Sequence, residues 1–209
     1  HRSGEPAGLT MGIPGGRPCG DMTPLQIAWH LQYLLNVTKD LGPEVCFSLE
    51  DGSAITGDAW PIHDVNETIA IATPAVVTAP AGAPNLFDLG VPANTVVAGI
   101  PKLTGTITAP SADTIVYFSL QILRSDGLFE HIVNDQVRPL RLNTPANVAV
   151  DFEVDLHGVG LQLQDGETLY LVVSNVEPMY VANSNRVPSA AVLENLELTL
   201  PVVSNPQFL

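Results

Sequence analysis

From residue 116 onward the chain alternates apolar and polar residues with a period of two, and nothing else in the sequence constrains the fold as strongly. Val116, Phe118, Leu120 and Ile122 alternate with Tyr117, Ser119 and Gln121. Val148, Val150, Phe152, Val154 and Leu156 alternate with Ala149, Asp151, Glu153 and Asp155, and Leu196, Leu198, Leu200 and Val202 with Glu197, Thr199 and Pro201. Successive side chains of a strand point to opposite faces, so each run predicts a strand with one buried and one wetted face. Tyr170-Leu171-Val172-Val173-Ser174 is more continuously apolar, as a central strand should be. Asp126-Gly127 and Asp165-Gly166 supply turn signals between the runs. Strands at this spacing, with no helical period among them, predict an antiparallel β-sandwich of jelly-roll type over residues 95–209.

The first 72 residues read differently. Residues 1–20 carry glycines and prolines too densely for any helix or strand period, so they read as loop. Asp21-Met22-Thr23-Pro24 then reads as a helix start, with Thr23 as cap and Pro24 at the first helical position. Leu25, Ile27, Ala28, Leu31, Leu34 and Leu35 recur mostly at three- and four-residue intervals, which predicts one amphipathic helix near 24–35. Residues 44–49 read as a short strand, Asp51-Gly52 as a turn, and Ala59-Trp60-Pro61 as an anchored loop with the Trp60 ring buried. Residues 73–94 are rich in Ala, Pro and Gly with little period, which predicts a linker or long loop.

Composition narrows the function classes. With 45% hydrophobic and 14% charged residues the chain has the means to bury a core and is no disordered tail. No apolar run approaches the roughly 18 residues of a membrane span. The net charge of −14 reflects scarce bases, 8 Lys and Arg in all, and such a surface repels a phosphate backbone, so no nucleic-acid partner is expected. Cys19 and Cys46 either form a disulfide in an exported protein or stand as two separate thiols. Asn36-Val37-Thr38 and Asn66-Glu67-Thr68 fit the N-glycosylation sequon. No CxxC or HxxxH spacing exists, so neither a structural zinc site nor another cofactor is expected. The chain begins at His1 without a signal-peptide pattern, from which a missing or processed natural N-terminus is expected.

Residues that could carry chemistry are few. No G-x-S-x-G nucleophile elbow occurs anywhere in the sequence. His30, on the helix, reads as solvent-facing or capping rather than as a base. Asn134-Asp135 with Asp151, Glu153 and Asp155 offer oxygen ligands of the kind calcium takes, but alternate acids on a strand also describe its solvated face. Phe129, Tyr180 and Phe208 are candidates for a sugar-binding platform in a chain that is only 6% aromatic.

The order of segments, taken together, resembles the end of the cocaine-esterase and Xaa-Pro dipeptidyl-peptidase family of serine hydrolases. The resemblance is carried by Thr23 through Leu34, by Pro43-Glu44-Val45-Cys46-Phe47 and by Trp60-Pro61. It continues through Gly99 to Ile107, Ser125-Asp126-Gly127, Val137-Arg138-Pro139-Leu140-Arg141, Tyr180 to Arg186 with its Asn183-Ser184-Asn185 core, and Leu200-Pro201-Val202-Val203. It implies a remnant of the end of an α/β-hydrolase domain over 1–72, the linker at 73–94, and a non-catalytic, galactose-binding-like jelly roll over 95–209. Of a Ser-His-Asp triad only the histidine could lie in this chain, and His1 stands roughly where the resemblance puts it, so His1 is the one candidate catalytic residue. The function so implied is that of an accessory portion of a secreted hydrolase acting on esters, amides or X-Pro peptides, with the remainder of the hydrolase as partner and no activity of its own. The alternative is a stand-alone extracellular β-sandwich, either a binding module or a subunit assembling with further copies of itself.

Overall fold

A computed structural model describes residue 19 and residues 22–38, 45–72, 74–79, 83–131, 136–177, 180 and 189–209. One helix, α1 (Met22–Leu35), precedes the strands β1 (Val45–Ser48), β2 (Ala54–Gly57), β3 (Val65–Ala70), β4 (Ala75–Ala79) and β5 (Asn85–Asp88). Then come β6 (Val96–Gly99), β7 (Lys102–Thr108), β8 (Asp113–Leu123), β9 (Phe129–His131) and β10 (Arg138–Asn143). The last five are β11 (Ala149–Asp155), β12 (Val159–Gln162), β13 (Thr168–Ser174), β14 (Ser189–Val203) and β15 (Gln207–Phe208).

Two antiparallel sheets face each other. The smaller runs β10-β8-β13-β5 with β9 beside β8; the larger, seven-stranded, runs β11-β7-β14-β6-β12 with β3 and β4 also paired to β14. The chain passes repeatedly from one sheet to the other, as between β7 and β8, β10 and β11, and β12, β13 and β14. That crossing, with period-2 burial, is why the core forms between the sheets: Val116, Phe118, Leu120 and Ile122 of β8 meet Leu103 and Ile107 of β7, Val154 of β11, and Leu193, Leu196, Leu198 and Leu200 of β14. Phe118 and Phe152 stack across the gap with ring centroids 5.7 Å apart. The β-sandwich read from the alternating runs is therefore the observed fold.

A third layer modifies that expectation. β1, β2 and β15 form a three-stranded sheet whose Phe47, Leu49 and Ile55 pack with Val96, Ala98 and Val203 of the larger sheet. Val97 faces the main core while Val96 and Ala98 face this second one, so β6 is buried on both sides. Gly160 makes the contact possible. A Cβ there would lie 2.4 Å from Phe47 Cε1 and 2.8 Å from the Ser48 carbonyl oxygen. The Glu50 amide donates to the Gly160 carbonyl at 2.8 Å, fixing the small sheet against the β12 edge.

Several sequence expectations need correction. The stretch 73–94 is not all linker or loop: β4 pairs with β14 and β5 with β13. β3, upstream of it, also joins the larger sheet, so the sandwich begins before residue 95. β8 is not wetted on one face, since Tyr117 and Ser119 are as buried as the core-facing residues; Ile115 and Tyr117 form a small cluster with Val137 and Tyr180 over that face. Trp60 does not bury its ring: it is 55% exposed and stacks on Phe47 with its outer face open. The helix is assigned from Met22, so Thr23 lies within it rather than capping it. Tyr170 to Ser174 lie in β13, which is flanked by β8 and β5, as a central strand should be.

β14 spans 15 residues and pairs with β4, β3, β7 and β6. Its register against β7 slips between Glu194 and Glu197, and Asn195 takes a φ of 52° there, so one strand serves two pairing registers. Gly105 of β7 sits opposite this bulge. A Cβ at Gly105 would fall 2.6 Å from Leu196 Cδ2 and 3.2 Å from both the Glu194 carbonyl oxygen and Phe152 Cε1. Gly105→Ala should therefore cost about 1–3 kcal/mol in urea unfolding, as overpacked cores do. Gly158→Ala is the matched control, since its new methyl would meet nothing nearer than 3.7 Å; equal losses in the two variants would remove the bulge as the cause.

The end of β14 is held by Asp64, which precedes β3. Its carboxylate accepts the Ser204 amide at 2.7 Å. That bond holds the Asp64 carboxyl below its ordinary value. A depressed carboxyl contributes stability above its unfolded pKa of about 3.9 and loses it as pH falls through the folded value. Asp64→Asn should unfold at a lower urea concentration than the parent at neutral pH and converge with it near pH 2.

Candidate functional site

His1, the one catalytic candidate, lies outside the described residues, as do Asn134, Asp135 and the 183–185 core. His30 is exposed on α1 with its ring edge-on to Trp29 at 5.4 Å. The Ser-His combination nearest to an active site was not foreseen. Ser119 of β8 and His157, after β11, line one small pocket with Gln136, Leu156 and Val159, roomy enough for about one water molecule.

The geometry of that pair is structural. Ser119 points to the outer face of β8, opposite Val172 of β13, and is buried. His157 Nε2 lies 3.2 Å from the Val137 carbonyl oxygen. A carbonyl only accepts, so Nε2 carries the proton and the ring is tied to the loop before β10. Tyr180 reinforces the same loop, stacking on Tyr117 at 5.5 Å and donating its hydroxyl to Val137 at 3.5 Å. Nothing in the sequence marks these residues as neighbours, because they come from four separate segments.

The acidic alternation on β11 is a solvated face. Asp151 accepts the Thr106 hydroxyl at 2.8 Å, and Glu153 pairs with Lys102 at 2.8 Å. The hydrogen bond and the charge of Glu153, with Asp155 beyond, raise the Lys102 pKa. Both partners are exposed, so the pair adds little stability. Among the described residues no three His, Cys, Asp or Glu side chains come together as a metal site. The aromatic candidates do not form one platform: Phe129 meets Tyr170 edge-on, Tyr180 is spent on Tyr117, and Phe208 ends β15 in the third sheet.

Among the described residues, exposed apolar side chains are densest on α1. Ile27, Leu34 and Leu35 are 55%, 69% and 67% exposed, and Leu31 is half-buried beside them. Trp29 and Tyr33, stacked at 4.9 Å, are 48% and 59% exposed on the opposite side. At about 100° per residue, positions 27, 31 and 34 form one stripe and 29 and 33 another. The sequence reading caught the first stripe and missed the second, although Trp29 and Tyr33 stand in plain view between its members. A disulfide between Cys19 and Cys46 ties the segment before α1 to β1, which resolves the cysteine alternatives in favour of the bridge.

No known family description matches the sequence, and no curated protein does either. Solved structures share the fold. A CocE/NonD family hydrolase from Staphylococcus aureus matches with a TM-score of 0.67 at 15% identity, over 87% of this chain and 46% of that one. An aminopeptidase from the marine sediment archaeon Thaumarchaeota archaeon gives 0.64 at 9% identity, over 86% and 43%. An alpha-amino acid ester hydrolase gives 0.62 at 12% identity, over 85% and 44%. The chain has the fold of one part of such hydrolases and spans less than half the length of each. The resemblance read from the sequence thus holds at the level of fold.

If the Ser119–His157 pair is structural, the chain should turn over p-nitrophenyl acetate no faster than Ser119→Ala does. Saturable turnover that a serine-directed phosphonate abolishes and Ser119→Ala lacks would show a working site instead.

Proposed function

We propose that this chain is the accessory C-terminal portion of a secreted serine hydrolase of the esterase or X-Pro peptidase type. It stabilises the catalytic domain, walls one side of the substrate cleft, and is not catalytic alone. The observation that carries this reading is α1, apolar on two opposite sides and exposed on both. Helices apolar all round belong to the interior of larger domains. A helix pair formed with a second copy would cover the Ile27, Leu31 and Leu34 stripe and leave Trp29 and Tyr33 wet. A hydrolase layer with elements on both sides of α1 covers both, which favours an intact catalytic domain over a self-assembling subunit. The likeness to hydrolases of about twice this length supports the same reading, and the Cys19–Cys46 disulfide supports an oxidising, extracytoplasmic setting.

Two measurements test it. Intact mass and upstream sequence of the native protein should reveal a G-x-S-x-G elbow within about 300 residues before His1; a mature protein that starts at His1 and has no such partner refutes the proposal. Burying each large side chain of α1 is worth about 1.5–3 kcal/mol, so the isolated chain should associate as its concentration rises in light scattering. Leu34→Asp should shift that association to higher concentration without lowering the unfolding midpoint. A wild type that stays monomeric while α1 amides are protected from hydrogen exchange would count against an uncovered helix.

A further inference from the structure

We propose that Asn66 carries an N-linked glycan, a modification that rests on the export reading above. The sequon Asn66-Glu67-Thr68 has no proline at its middle position and lies within β3. Its register sets Asn66 opposite Pro201 and Thr68 opposite Thr199 of β14. Leu198 and Leu200 point into the core, so Ile69 and Glu67 share their side and Asn66 and Thr68 stand on the outer face. The Thr68 hydroxyl confirms that orientation, lying 3.5 Å from the Thr199 hydroxyl. Both sequon side chains are exposed; on the Thr68 side the outer face is polar and carries Lys102 and Glu153, while Pro201 opposite Asn66 is buried. A glycan on Asn66 would project into solvent and displace no packed side chain.

The site also answers a need of the fold. Among the described residues β3 pairs only with β14, so its other edge presents unpaired backbone groups. Val65 beside Asn66 is 42% exposed. An open, partly apolar edge invites pairing with another chain, and a bulky hydrophilic group at its second residue blocks that approach. The chemistry is transfer from a lipid-linked oligosaccharide. Asn66 Nδ2 bonds to the anomeric carbon, the anomeric C–O bond to the lipid pyrophosphate breaks, and one amide proton is released with the pyrophosphate.

The test uses the native protein. Digestion after treatment with peptide N-glycosidase in H2(18O) should give a peptide with residue 66 converted to 18O-labelled aspartate, and the same digest reads the Cys19–Cys46 bridge. A bridged chain with unmodified Asn66 overturns the glycan alone; free thiols with unmodified Asn66 overturn the export reading as well. In a eukaryotic secretory host, Asn66→Gln and Thr68→Ala should run faster on gels by one glycan with unchanged unfolding midpoints, while Thr68→Ser keeps the glycan. Retention of that glycan in Thr68→Ala would also overturn the assignment.

Discussion

The sandwich depends on β14. One strand pairs with four others and supplies Leu193, Leu196, Leu198 and Leu200 to the central core. It can do so only because its register slips at Asn195, and the slip is possible only because Gly105 leaves room for Leu196 and the Glu194 carbonyl. A bulge that sharpens the local twist also lets β4 and β3 take successive halves of the same edge. The last turn of the strand is then held by a charge-assisted bond from the Ser204 amide to Asp64.

Layering follows from which faces remain apolar. The inner faces of the two sheets consume the alternating residues of β7, β8, β11, β13 and β14. β6 is apolar at every position and needs cover on its second face, which the small β1-β2-β15 sheet provides through Phe47 and Ile55. The approach is close enough that Gly160 cannot carry a side chain without moving the Ser48 backbone. The outer face of β8 is covered in another way, by Val137 and Tyr180 over Ile115 and Tyr117. Among the described residues α1 carries the densest group of exposed large apolar side chains, and the proposed function grows from that imbalance rather than from any assembled catalytic group.

A reader of the sequence alone sees most of this architecture and little of its wiring. Period-2 alternation is local, so the strands at 116–122, 148–156 and 196–202 announce themselves, and the helix announces itself by its three- and four-residue spacing. The short strands β4 and β5 do not, because their Ala-, Pro- and Gly-rich surroundings carry no period and their place in the sheets comes from pairing with β14 and β13. Burial of Tyr117 was equally hidden, since its cover, Val137 and Tyr180, comes from residues distant in sequence.

What the sequence determined by itself is the fold class, the scarcity of bases, and the lack of a nucleophile elbow among these residues. Each is a property of composition or of short-range order. Tertiary structure decided the rest: that Cys19 meets Cys46, that Ser119 and His157 share a pocket in which the imidazole is tied to a carbonyl, that Trp60 stays half outside, and that α1 is open on two sides. These outcomes turn on which distant segments meet. Such meetings are set by pairing register and close packing across the whole sandwich, which no window of neighbouring residues contains.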